Sequence, residues 1–228
     1  MSFRTLSCFL LLLLWVIPGT PCRAATKAHT VFLGSGKNVP YSQAGDPAGA
    51  LPGEKQLHVR ALLVDEKVKE WTTGEAHNIT DRTFVVRRAL RLNDALPGDK
   101  AEHWIWQRGP WLTVDRVKGS VTALHLPDYD PAVSNVVWFR DYAAYCGIGT
   151  TAKGGLFAIV AQLGARRAVV QKQIGPWPQS NHFIPVCQAA EWQRLPMRVT
   201  LKPTGGEAMT FDVVGTSSLV EEGDPEQQ

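Results

Sequence analysis

Apolar and polar positions alternate along this chain mostly at a period of two, the spacing of a half-buried strand, and seldom at the 3.6 of a helix. Residues 57–64 and 68–72 are strand-like and flank Asp65-Glu66-Lys67, which predicts a hairpin. Between Thr83 and Leu92, the side chains of Phe84, Val86, Leu90 and Leu92 fall on one face, and Arg87 and Arg91 on the other. Arg88 interrupts the apolar side. Trp111 to Asp115 and Ser120 to Leu124 flank Arg116-Val117-Lys118-Gly119, a second hairpin in which Gly119 supplies the positive φ.

The strongest strand signal runs from Asn135 to Cys146. Val136, Trp138, Tyr142, Ala144 and Cys146 lie on one face, and Val137, Phe139, Ala143 and Tyr145 on the other. Two apolar faces predict a central strand covered on both sides. Beyond a Gly-rich link, residues 156–163 and 169–174 continue a three-stranded antiparallel meander. Residues 197–201 and 209–214 bracket a Pro203-Thr204-Gly205-Gly206 turn, and one or two helical turns are expected around Gln188–Arg194. About ten short strands with close turn signals predict an all-β, mostly antiparallel sandwich or barrel. The alternative is a small β-propeller: Trp106, Trp138 and Trp177 recur at 32 and 39 residues, near the length of a blade. The residues around them do not repeat.

The ends differ from this middle. Arg4, an apolar run of 12 residues from Leu6 to Ile17, and Pro18 through Ala24 have the layout of a secretory signal peptide. The run is too short to cross a hydrocarbon core, which needs about 20 residues. Residues 1–24 are therefore expected to be removed, leaving a secreted or periplasmic protein without a transmembrane segment. Pro21 stands where a lipid-attachment site at Cys22 would need a small residue, which argues against a lipid-anchored form. Residues 25–56 form a Gly/Pro-rich arm, in which the run from Gly34 to Lys55 is expected to hold no long strand. Residues 57–215 form the β-rich globular domain, and the acidic tail 216–228 is expected to be disordered.

Export changes the charge and cysteine content. Of 228 residues, 204 remain, and loss of Arg4 and Arg23 lowers the formal net charge from +3 to +1. Near-neutrality argues against a nucleic-acid partner, which needs a clustered basic face. Cys8 and Cys22 leave with the leader, so Cys146 and Cys187 are left to form one disulfide.

Candidate chemistry is sparse. Trp104, Trp106 and Trp111 cluster around Gly109-Pro110, and their flat faces suit stacking on sugar rings. His125-Leu126-Pro127-Asp128-Tyr129-Asp130 holds an imidazole and two carboxylates, but a calcium loop would need an oxygen ligand where Ala132 stands. No metal site and no cofactor is expected. Asp141, in an otherwise apolar stretch, requires a partner from another strand. In His77-Asn78-Ile79-Thr80-Asp81, Thr80 or Asp81 would cap a turn, and Asn78-Ile79-Thr80 meets the glycosylation rule. A cysteine hydrolase would use Cys146 as nucleophile with His125 or His182 as base. Gly34-Ser35-Gly36-Lys37-Asn38 fails as a phosphate loop because Asn38 replaces Ser or Thr and Val31 replaces the leading Gly. The run Val64 to Trp71 resembles the opening strands of some secreted carbohydrate-binding modules, over eight residues that carry no site across.

These observations predict an exported, non-catalytic β domain with a binding or structural role, its expected ligand a glycan or cell-envelope polymer held at Trp104, Trp106 and Trp111. The alternatives are the secreted cysteine hydrolase and a subunit of an envelope protein assembly, with a protein partner.

Overall fold

The computed structural model describes residues 29–42, 55–149, 154–176 and 186–215. The leader with Cys22, the acidic tail, Trp177 and His182 lie outside the described residues. Among the described residues, thirteen strands run in chain order, and every pairing between them is antiparallel. The first sheet contains β1 (Val31–Pro40), β2 (Gln56–Val64), β3 (Lys67–Asn78), β4 (Thr83–Asn93), β5 (Trp104–Asp115) and β6 (Ser120–Ala123), side by side in that order. The second has the order β10 (Val170–Gly175), β9 (Gly155–Gln162), β8 (Tyr142–Gly149), β7 (Val137–Phe139). A third is formed by β11 (Glu191–Gln193), β12 (Arg198–Leu201) and β13 (Met209–Asp212).

The all-β class is as the periodicity predicts, and the sheets stack in sandwich fashion without closing into a barrel. The second sheet is the middle layer. Its Ala143, Tyr145 and Ile159 pack with Ile79, Val85 and Trp111 of the first sheet and its adjoining turn. From its opposite face, Tyr142, Ala144, Cys146 and Ala158 pack with Val199, Leu201 and Val213 in and beside the third. Strand β8 is buried along its whole length, as two apolar faces require. The first sheet curls: Tyr41 makes a single parallel bridge to Trp106. The β5–β6 turn also closes on β1 and β2, where a Cβ on Gly119 would lie 2.8 Å from His29 and 2.9 Å from Val64. Trp106 and Trp138 stand in sheets of unequal size, so no repeated blade relates them.

Four local expectations need correction. The stretch from Val31 to Pro40 is a ten-residue strand despite its glycines. A bulge between Leu33 and Gly36 absorbs the irregularity, and Arg60 donates from Nε to the Gly34 carbonyl (2.8 Å) and from Nη2 to that of Leu33 (2.9 Å). Residues 135–146 are not one strand but a hairpin, turning at Arg140-Asp141 with Arg140 at φ 51°. Trp138 therefore pairs with Ala143 and shares its face, leaving the face of Tyr142. Residues 188–194 hold no helix; Glu191–Gln193 adds a strand to β12, and ladder pairing overrides weak helical propensity. Arg87 is buried instead of facing solvent, because the loop after β6 covers its side of β4.

The hairpin turn after β2 is tighter than predicted. Asp65 and Glu66 alone make it, both with positive φ (50° and 65°), and Val64 pairs directly with Lys67. The Asp65 carboxylate accepts from His29 Nδ1 and the Thr30 amide, which fixes the start of β1.

Candidate binding cleft

A bulge sets up the site. Arg87 pairs with Trp111 and Ala89 with Arg108, so Gly109 and Pro110 together oppose the single residue Arg88. Proline lacks the N–H a ladder needs, and the bulge is where a strand tolerates it. The extra residue shifts the phase of β5 and returns Trp111 to the side that carries Trp104 and Trp106. That shared side has three different fates. Trp104 is 39% exposed, its indole N–H donates to Glu102 (2.8 Å), and the Arg91 guanidinium lies 4.3 Å from its ring centre. Trp106 is buried among Val39, Leu57, Val59 and Ala89, edge-on to Trp71. Trp111 is buried between the first two sheets, edge-on to Trp138. The three tryptophans thus line no common groove.

Among the described residues, a concave feature lies instead at the loop after β6. A cleft of about 700 Å³ is lined by Pro110, Leu126, Pro127, Tyr129 and Ile148, with polar groups from His125, Asp128, Asp130 and Gln171. The loop is pinned at successive carbonyls: Tyr145 donates to that of Pro127 (2.6 Å), the Ile148 amide to that of Asp128 (2.8 Å), and Arg87 to that of Pro131 (2.6 Å). Gly147 permits this approach, since a Cβ there would lie 2.6 Å from the Asp128 carbonyl oxygen. Asp128 itself adopts φ 48°, and Gln171 donates to its carboxylate (2.9 Å). Asp130 closes the loop, accepting from the Ala132 amide (2.8 Å) while its carbonyl takes the Ser134 amide. Ser134 in turn donates to the Cys146 carbonyl (2.8 Å). A loop with its backbone groups occupied in this way does not need its backbone ordered on binding.

Burial pushes the Tyr129 and Tyr145 phenols above their ordinary value, so both are neutral donors at neutral pH. His125 is exposed at the cleft, and no group of three or more metal-ligating side chains occurs among the described residues.

Other candidates have structural partners. Cys146 and Cys187 form a disulfide with Cα atoms 5.9 Å apart. Asp141 is buried at the β7–β8 turn, where Gln162 of β9 donates to its carboxylate (2.9 Å), a partner from another strand as expected. His77 donates from Nε2 to the Arg140 carbonyl (2.8 Å) and stacks on Trp138. Thr80 accepts from the Thr83 amide, capping its turn, and Asn78 accepts from Arg116 (2.8 Å). The sequence reading singled out His125, Asp128 and Asp130 but missed Gln171, Pro110 and Ile148, which distant strands bring to the cleft and no local motif marks.

No protein-family model, no curated protein and no solved structure matches this chain.

Proposed function

We propose that the exported chain is a non-catalytic binding domain that holds a glycan or cell-envelope polymer in the cleft at residues 124–131. The observation that carries this reading is the cleft's lining. Pro110, Pro127 and Tyr129 offer apolar surface for the carbon faces of sugar rings. Asp128, Asp130, Gln171 and His125 offer acceptors and donors for hydroxyl groups. Of the aromatic trio, Trp104 alone keeps an exposed face and serves as an outlying contact. The cysteine-hydrolase alternative lacks its nucleophile, because a disulfide sulfur carries no thiolate.

Co-sedimentation of the mature protein with insoluble polysaccharides and peptidoglycan tests the reading. Retention is expected, and is expected to fall about tenfold in a His125→Ala/Gln171→Ala double variant, the loss of one or two hydrogen bonds. Unchanged retention in that variant, or no retention of the unsubstituted protein on any of these polymers, would overturn it.

A further inference from the structure

A second cavity, of about 210 Å³, adjoins the cleft and shares Pro131 with it. Its remaining lining is Glu75, Arg87, Arg108 and residues 132–135. Arg87 is the unusual member. Its side chain is only 5% exposed, Nη2 donates to the Pro131 carbonyl, and Nε has no hydrogen-bond partner among the described residues. The nearest carboxylate, Glu75, is half exposed and stands 4.0 Å from Nη1. A buried guanidinium without a close counter-charge is costly to a fold unless something completes it.

The surroundings are biased toward donors. Two buried donors, Arg87 Nε and Trp138 Nε1, lack a hydrogen-bond partner among the described residues, whereas Trp111 and Tyr129 are partners of each other. Arg87 pairs with Trp111 across the strands, and Trp111 meets Trp138 at 5.4 Å between ring centres. Arg108 adds a second positive charge, so the ionised lining is two cations against one anion. Arg87 Nε is buried but unpartnered, so the guanidinium keeps donor capacity that a carboxylate entering the cavity can use.

We propose that this cavity is a carboxylate-binding subsite, and that the ligand of the adjoining cleft is an acidic saccharide whose carboxylate is received by Arg87 and Arg108. The proposal rests on the glycan reading for the sugar, and on the arginine cavity for the acid group. Glu75 competes with the incoming carboxylate for Arg87, so its removal strengthens binding.

Thermal unfolding of the mature protein at constant ionic strength tests the subsite, with sodium glucuronate, glucose and sodium sulfate each compared against sodium chloride. A ligand that binds only the folded state raises Tm in a saturable manner. Glucuronate is expected to do so, and glucose to have no effect. The half-saturating glucuronate concentration is expected to rise about tenfold in Arg108→Ser, the loss of one charge-assisted hydrogen bond, and to fall in Glu75→Gln. Arg87→Lys keeps the charge but removes the fork, and is expected to abolish the response. If that variant does not fold, the other two decide. Absence of a saturable response in both the unsubstituted protein and Glu75→Gln would overturn the proposal, as would a glucuronate response unchanged by Arg108→Ser. Equal saturable responses to sulfate and glucuronate would overturn the carboxylate assignment. Retention on a neutral polysaccharide without a glucuronate response would remove the subsite alone. A glucuronate response without retention on any polymer would remove the polymer reading and keep the subsite.

Discussion

The Tyr145 hydroxyl donates to the Pro127 carbonyl at 2.6 Å, tying the fully buried middle strand to the wall of the cleft. Tyr145→Phe removes this bond at little change in volume and leaves a carbonyl unpartnered. A loss of about 1–3 kcal/mol is expected in urea unfolding. Faster hydrogen exchange at the Ile148 amide, which bonds the next carbonyl along the loop, would locate the loosening there.

The tryptophans separate by burial. Trp106→Ala is expected to cost about 3–5 kcal/mol, because it empties a space enclosed by Val39, Leu57, Val59 and Ala89. Trp104→Ala loses the Arg91 contact and is expected to cost about 1 kcal/mol or less. Denaturation midpoints of the two variants check the contrast, and similar losses would contradict it.

Removing the cross-link by Cys146→Ala/Cys187→Ala is expected to lower stability by up to about 4 kcal/mol, the loop-entropy value for a separation of 41 residues. A thiol label applied without reduction is expected to modify neither Cys146 nor Cys187, which mass spectrometry reads directly.

Acid and alkali act on different layers. At the β5–β6 turn, the Arg82 hydrogen bond and then the Lys118 amide hold the Asp115 carboxyl well below its ordinary 3.8. A lowered pKa in the fold contributes stability above that ordinary value, and the contribution is lost as pH falls below it. Asp115→Asn is therefore expected to flatten the decline of the urea midpoint below about pH 4.

The phenols of Tyr129, Tyr142 and Tyr145 are raised, mainly by burial. Their contribution is intact below the ordinary phenol value of 10.0 and is lost as pH rises above it. Ultraviolet titration is expected to show these tyrosines ionising together with unfolding instead of at that value.

Strand periodicity made most of the architecture legible. The strand at Thr83–Leu92, the apolar run that became β9 and the Gly119 turn all depend on neighbours in sequence, and they appear where predicted. What could not be read depends on residues far apart. Arg60 satisfying the Leu33 and Gly34 carbonyls lets a glycine-rich stretch pair as a strand, and nothing near residue 34 announces it. The turn at Arg140-Asp141 has no glycine, asparagine or proline, so two paired strands read as one. Trp106 and Trp111 looked available because a period of two marks a face without saying whether another layer covers it. The Gly109-Pro110 pair was visible between the tryptophans, while its role as a bulge required the partner strand.

The disulfide reaches from the middle sheet to Cys187, which bridges to Pro203 ahead of the third sheet's last strand. A protease that severs the backbone once anywhere between the two cysteines leaves two fragments still covalently joined. The third sheet would then stay tethered to the layer it packs on, and a nick there would become visible as a size change only after reduction.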